Sequence, residues 1–380
     1  MRHTLTGLLA AVLSLCTTTV LAQTLSLPAS GGNQVASVTQ GIGPVRVTVD
    51  YASPDVIGPN GEDRTGKIWG TLVPYGMSSS GGFGSCGEQC PWRAGANKNT
   101  VFTVSHDVMV QGRKLKAGAY GLHMVPGEKR WTVIFSSNTE AWGSYFYDKK
   151  DDVLRVSVTP KPHPFTNWLT YEFIDRQSDR ATVALRWEKL EVPLDITVPN
   201  VNALHLAMIR EELTGPAGFT DGAWRNAAQF CLQNKIGLKE GLTWAEAAVR
   251  APFIGKPSFQ NLTVLASLQE ANGQGAAAKK TVDEAMKQSD ASATSIHQYG
   301  RSLMTQGRNK RALEVFQLNA KKHGEAWPTH VGLTRGYSAV GDYKKALDHA
   351  QKAHAQAPDA LNKKNLEQMI ETLKQGKPVG

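Results

Sequence analysis

The sequence predicts two fold classes in one chain: an antiparallel β-sandwich followed by an array of α-hairpins. Three observations predict this. Apolar residues alternate with polar ones up to about residue 198, the two-residue period of strands with one buried face. Short turn signals separate these segments and leave no room for the helical crossovers a parallel sheet needs. Beyond residue 200 the apolar spacing becomes helical, and Gly and Ala recur every 34 residues.

The β half holds about nine short strands. Val45, Val47, Val49 and Tyr51 alternate with Arg46, Thr48 and Asp50. The segments Lys67-Ile68-Trp69, Thr100 to Ser105, Tyr120 to Val125, Trp131 to Phe135, Val153 to Val158, Leu169 to Ile174, Thr182 to Trp187 and Val192 to Val198 follow. Pro59-Asn60-Gly61, Lys116-Ala117-Gly118, Pro126-Gly127 and Ser178-Asp179 mark turns between them, each supplying residues that favour turn backbone angles.

In the second half Leu204, Leu206, Ile209 and Leu213 are spaced as on a helix, and Gly215-Pro216 stops it. Gly273, Gly307 and Gly341 then share a register with Ala278, Ala312 and Ala346. Val282, Phe316 and Ala350 fall in a second register, and Leu265, Tyr299 and Leu333 in a third. Pro358 closes the last copy. This pattern resembles the tetratricopeptide repeat, which implies two antiparallel helices per unit, Gly at the turn and Ala at the closest helix contact. Trp224 to Ala248 reads as a degenerate upstream copy, and Leu361 to Leu373 as a capping helix. The expected organisation is a signal peptide over 1–22, the sandwich over 23–200, a helical connector over 201–257, repeats over 258–358, and a cap and tail over 359–380.

The first 22 residues read as a secretory signal: Arg2 and His3, an apolar run from Leu5 to Leu15, and small residues before a cut near Ala22/Gln23. The expected destination is the periplasm or the exterior. Leu15 before Cys16 argues against a lipid anchor, and no later stretch is apolar enough to span a membrane. The chain has 380 residues, 41% apolar and 20% charged, which excludes a disordered chain. The net charge of +9 is spread along the sequence, so nucleic-acid binding is not expected.

Export changes the reading of the cysteines. Cys86 and Cys90 sit in a Gly/Ser-rich loop. A small disulfide ring is expected in an oxidising compartment, with a redox pair or a soft-metal site as alternatives. Cys231 falls in an apolar helical pattern and reads as a buried thiol.

Several blocks of the β half, in order, carry a resemblance: Val45 to Tyr51, Lys67-Ile68-Trp69-Gly70, Pro74-Tyr75-Gly76, Trp92-Arg93-Ala94-Gly95-Ala96-Asn97, Ala117 to Leu122, Trp131 to Phe135, Trp142-Gly143-Ser144-Tyr145 and Val183 to Glu188. Over roughly Ser37 to Val198 the chain resembles the exported bacterial family called domain of unknown function 2911. The resemblance implies no activity. Met77 to Pro91, with both loop cysteines, is an insertion relative to the family pattern.

Candidate site residues follow from side-chain chemistry. Trp92 offers a stacking face, Arg93 a planar fork for carboxylate or phosphate, and Asn97 a donor and an acceptor. The same segment also reads as a plain strand-entry turn, with Gly95 taking an unusual backbone angle and Arg93 pairing with Glu172 or Glu188. Trp142 and Tyr147, in a loop, are the expected exposed aromatics, while Trp69, Tyr120, Trp131 and Trp187 belong to apolar registers. His123 and His106 could converge across strands without forming a metal site. Asp148, Asp151 and Asp152 resemble part of a calcium loop, but Lys149-Lys150 between them favours a solvated turn. Glu172 and Glu188 could serve as a glycosidase pair or as structural ion-pair partners of Arg186 or Arg93. No metal or cofactor is expected. The leading expectation is a non-enzymatic binding or scaffolding protein with a protein or peptide partner in the repeat groove. A small molecule or glycan is possible on the sandwich. The alternative is a hydrolase or carbohydrate-binding module centred on Arg93, Asn97 and the aromatics. Arg308, Lys310, Arg311, Lys344 and Lys345 read as a solvated basic surface of the repeats.

Overall fold

The computed structural model describes residues 32–379; the expected signal sequence lies outside them. The chain divides at Pro199/Asn200 into two compact units.

The N-terminal unit is a sandwich of two antiparallel sheets. The first contains β1 (Gln34–Ile42), β2 (Val45–Ser53), β3 (Thr100–Val104), β6 (Gly118–Val125), β7 (Trp131–Ser136) and β8 (Asp152–Val158), hydrogen-bonded in that order. The second runs β5 (Arg113–Leu115), β4 (Val108–Val110), β10 (Arg180–Thr197) and β9 (Lys161–Ile174). The inner faces meet where the rings of Tyr51 and Tyr171 pack edge to face at 4.8 Å and Ser53 donates to the Leu169 carbonyl at 2.7 Å.

Three strand expectations need correction. Lys67-Ile68-Trp69 forms no strand and makes one bridge, from Trp69 to Val73. It instead delivers Trp69 between the sheets, against Trp92, Trp131 and Trp187. The segments 182–187 and 192–198 are one long strand, β10, with register irregularities around Glu188, whose φ is 54°. The two-residue period slips there, so the pattern reads as two strands. β9 begins at Lys161, through Pro162 and Pro164, because it is the edge strand of its sheet and a missing N–H costs no ladder bond there. Trp131, Trp187 and Tyr120 are buried as expected.

Among the described residues the C-terminal unit has ten α-helices: α1 (Val201–Thr214), α2 (Asp221–Asn234), α3 (Leu238–Arg250), α4 (Phe259–Ala271), α5 (Gly275–Ala285), α6 (Ala293–Thr305), α7 (Asn309–His323), α8 (Trp327–Ala339), α9 (Tyr343–Ala355) and α10 (Ala360–Lys374). Each repeat glycine ends a first helix in the left-handed region, with φ of 78°, 74° and 87° at Gly273, Gly307 and Gly341, where a Cβ would be strained. Ala278, Ala312 and Ala346 are fully buried, as are Val282, Phe316 and Ala350. Ser258 and Ser292, again 34 residues apart, cap α4 and α6 through their hydroxyls. Helices α2 and α3 cover the segment expected to be an upstream copy, and Cys231 packs on Gly241 so closely that a Cβ there would lie 2.6 Å away. Burial pushes the Cys231 thiol up to about 11, so it stays protonated and unreactive.

Candidate functional site

The segment Trp92 to Asn97 is pinned at both ends. Trp92 exchanges two backbone hydrogen bonds of 2.7 Å with Met124 of β6, and Ala96 donates to the Ala52 carbonyl at 3.0 Å. Ala94 and Asn97, at φ 54° and 56°, take the left-handed angles here. The angle expected of Gly95 falls to its neighbours. Gly95 is needed for space instead, since a Cβ would meet Thr100 Oγ1 at 2.7 Å and the Ala52 carbonyl at 3.1 Å. A left-handed alanine costs about 1–3 kcal/mol, and Ala94 is held in it by Thr100 and Tyr171, which both donate to its carbonyl.

Among the described residues Arg93 meets no acid. Its Nη1 donates to the Asn97 carbonyl at 2.9 Å. Its guanidinium lies 5.2 Å from the Trp142 ring centre and 5.1 Å from that of Tyr145, within cation–π range. Those two rings are parallel and 5.9 Å apart. Gly143 leaves the room: a Cβ would stand 2.5 Å from the Arg93 Cζ. The expected pairing with Glu172 or Glu188 does not occur. Glu172 and Glu191 share Arg186, and Glu188 is buried and accepts the Gly66 N–H at 2.6 Å. Each carboxylate therefore has its own structural partner.

Other expectations change with burial. Trp92 is no exposed platform; it is partly buried and stacks on Trp187 at 6.4 Å. The Asn97 side chain accepts from Asn33. Tyr147 is buried. Its hydroxyl donates to Asp152 at 3.0 Å and accepts from Arg155 at 2.5 Å. Burial and Asp152 push its pKa up to about 12. Asp152 thus belongs to a structural triad and leaves the solvated turn to Asp148 and Asp151. His123 is 2% exposed, with Nδ1 2.8 Å from the Ser144 hydroxyl and its ring against Tyr147. Burial, then the Arg93 charge, lowers its pKa to about 4, so it stays neutral at ordinary pH. Among the described residues no group of three or more His, Cys, Asp or Glu could hold a metal ion.

Cys86 and Cys90 form a disulfide. It packs with Ile134 and Tyr147, and the loop that carries it docks on the 142–147 segment through the N–H groups of Ser85 and Cys86, both donating to the Tyr145 carbonyl. Phe83 of that loop packs on Tyr145 and Phe146. Trp142, Phe146 and Phe83 stay 49%, 47% and 61% exposed. Together with Arg93 they make an aromatic surface patch. Trp142 was legible as its exposed member; Phe83, Tyr145 and Phe146 were not.

The helical unit holds a second candidate, an open groove of about 890 Å³ lined by α2, α4 and α6. Its walls carry amides and hydroxyls, among them Gln229, Gln260, Gln298 and Ser302, and the cations Arg225, Lys235 and Arg308, with no carboxylate among the lining residues. Tyr299 also lines it, and its buried hydroxyl has no hydrogen-bond partner. Arg308 and Arg311, expected to be merely solvated, are both anchored on Glu270. The groove's polar residues went unread, although Ser267 stands one repeat before Arg301 and two before Arg335.

Comparison with known proteins divides along the same line. No curated protein matches the chain in sequence. Among solved structures the chain is similar to the TPR protein YrrB, described with an unusual peptide-binding site (18% identity, 44% of this chain and 84% of that one, TM-score 0.27). It is also similar to a thermophilic TPR protein of Thermus thermophilus (16%, 46% and 91%, TM-score 0.31) and to MamA of Desulfovibrio magneticus RS-1 (18%, 43% and 92%, TM-score 0.26). Among the described residues no helix is long and apolar enough to cross a membrane. Residues 33–196, within the N-terminal unit, match the model of the family described as protein of unknown function DUF2911.

Proposed function

We propose that the protein is a non-enzymatic binding or scaffolding protein that holds an extended segment of a partner protein in the groove of its helical unit. The observation that carries this is the wall chemistry. Amide and hydroxyl side chains on three successive first helices can pair with both the N–H and the C=O groups of an extended backbone. Peptide selection on the full chain tests it. Selected peptides should lose binding to Q298W/S302W, which fills the groove from exposed positions. Equal binding to that variant would refute the assignment.

The exposed ring of Trp142, parallel to the half-buried ring of Tyr145, favours a second reading, a glycan held on the sandwich patch by stacking on the Trp142 face, with Arg93 beside it. Soluble oligosaccharides should then quench Trp fluorescence in the wild type and not in Trp142→Ala. The carboxylates' separate partners give a hydrolase no support. We read the first 22 residues as an export signal; a mature chain beginning at Met1 would refute that.

A further inference from the structure

Two arginines of the helical unit occupy one repeat register. Arg301 on α6 and Arg335 on α8 are 34 residues apart, and Ser267, a further 34 before Arg301, lines the groove. On α6, Gln298, Ser302 and Thr305 also line it, and Arg301 lies at helical spacing among them, on the same face. The two helices are close: His297, one turn before Arg301, stands 3.1 Å from where a Cβ on Gly332 of α8 would be.

Neither arginine has an acid. Among the described residues no carboxylate lies within salt-bridge distance of Arg301 or Arg335, and the buried Nε of Arg335 has no hydrogen-bond partner. Burial and the Arg301 charge both pull the Arg335 pKa down. The same charges, after burial, lower that of His297 to about 4. The array compensates arginines elsewhere, with Glu270 taking both Arg308 and Arg311. Two like charges left side by side, one of them largely desolvated, are unfavourable until an anion joins them.

We infer that Arg301 and Arg335 form an anion subsite in the concave row of the helical unit, and that the partner segment is acidic, presenting carboxylate side chains to them. A guanidinium takes a carboxylate through two parallel N–H donors. The inference rests on the groove reading and adds the chemistry of its occupant.

The probe is an N-acetylated, C-amidated Glu-rich decapeptide, with its Gln counterpart, titrated calorimetrically into the full chain. The Glu peptide should bind more weakly as salt rises, and the Gln peptide at least tenfold more weakly. R301Q/R335Q should lose at least tenfold. Arg301→Gln, at an exposed position, should lose at least threefold and keeps the test open if the double variant unfolds. K279Q/K280Q, on exposed positions of α5, removes the same net charge and should bind as the wild type does. Equal binding of the Gln peptide, an equal loss in K279Q/K280Q, or a requirement for a free C-terminal carboxylate would overturn the subsite. Selected peptides that fail on Q298W/S302W but ignore R301Q/R335Q would overturn it and leave the groove assignment standing.

Discussion

Replacing Gly300 by alanine sets helix propensity against packing. Gly300 lies inside α6, where alanine is favoured over glycine by about 1 kcal/mol. The new Cβ, however, would stand 2.3 Å from Cε1 and 2.6 Å from Cζ of Phe316. That ring cannot retreat. It is fully buried, and Cβ atoms built on Gly332 and Gly336 of α8 would lie 2.6 Å and 2.8 Å from its other atoms. Overpacking of this kind costs about 1–3 kcal/mol and outweighs the propensity gain. We expect Gly300→Ala to destabilise the helical unit by up to about 2 kcal/mol. For a unit of this size the thermal midpoint, followed by circular dichroism at 222 nm, should fall by up to about 8 °C. Gly275→Ala is the control, because nothing lies within 4 Å of its Cβ position at the start of α5. There the same substitution should stabilise by about 0.4–1 kcal/mol. Phe316→Leu in the Gly300→Ala background should be non-additive by at least about 0.5 kcal/mol. A raised midpoint for Gly300→Ala would refute the packing account.

His123 sets a pH dependence. Its folded pKa of about 4 lies below the ordinary 6.5, so the unfolded chain binds the extra proton between those values. Stability is then full above about pH 6.5 and is lost as pH falls towards 4, by about 3 kcal/mol at 1.36 kcal/mol per unit. Urea unfolding of the wild type and His123→Gln should diverge in that window, and parallel curves would contradict the assignment. Removing the loop disulfide with C86A/C90A should cost at most about 2 kcal/mol, since the closed ring is small. Amide exchange should rise in residues 78–90 while the sandwich stays folded; global unfolding would show that the disulfide holds more than the insertion. Asn261 is fully buried, and its amide donates to Asp221, to Ala248 at 3.0 Å and to Lys256 at 2.9 Å. Asn261→Ala strands those acceptors and should cost about 1–3 kcal/mol, measurable as a lower urea midpoint; a neutral effect would mean water replaces the amide.

The repeat was legible because its determinants are local. A glycine needed at a left-handed helix end and an alanine needed at a close contact recur wherever the hairpin recurs, as at Gly307 and Ala312. The strands of the first sheet were legible where one face is buried, as along Val45 to Tyr51. What failed was whatever depended on distant partners. Arg93 reads as the partner of an acid, because charge is the obvious complement. Its actual neighbours, Trp142 and Tyr145, are about fifty residues away and are brought close by an unstrained Gly143 and a strained Ala94. Tyr147 reads as exposed because it lies in a loop, yet it is buried on the disulfide that holds an insertion. Trp69 reads as a strand residue because apolar neighbours flank it, while its place is fixed by three tryptophans from elsewhere.

The groove illustrates a different loss, one of attention to residue class rather than of distance. The Gly and Ala columns keep their identity through the 34-residue repeat, and the larger core columns stay apolar or aromatic, because each fills a fixed place in the hairpin. A column facing the groove has no such duty to the fold, so its residues are free to vary with the ligand. Ser267 lines the groove, and Arg301 and Arg335 share its register one and two repeats later. The drift from hydroxyl to cation along that register is uninformative about the hairpin and for that reason informative about the occupant. The fold supplies acids for Arg308 and Arg311, so leaving Arg335 desolvated and unpaired is not forced by composition. An uncompensated charge that packing does not need is the form in which a binding preference is written into a repeat array. The same reasoning separates the two candidate sites. On the sandwich Arg93 is already satisfied by a carbonyl and two rings, so a ligand there gains ring faces; in the array Arg335 still lacks its partner.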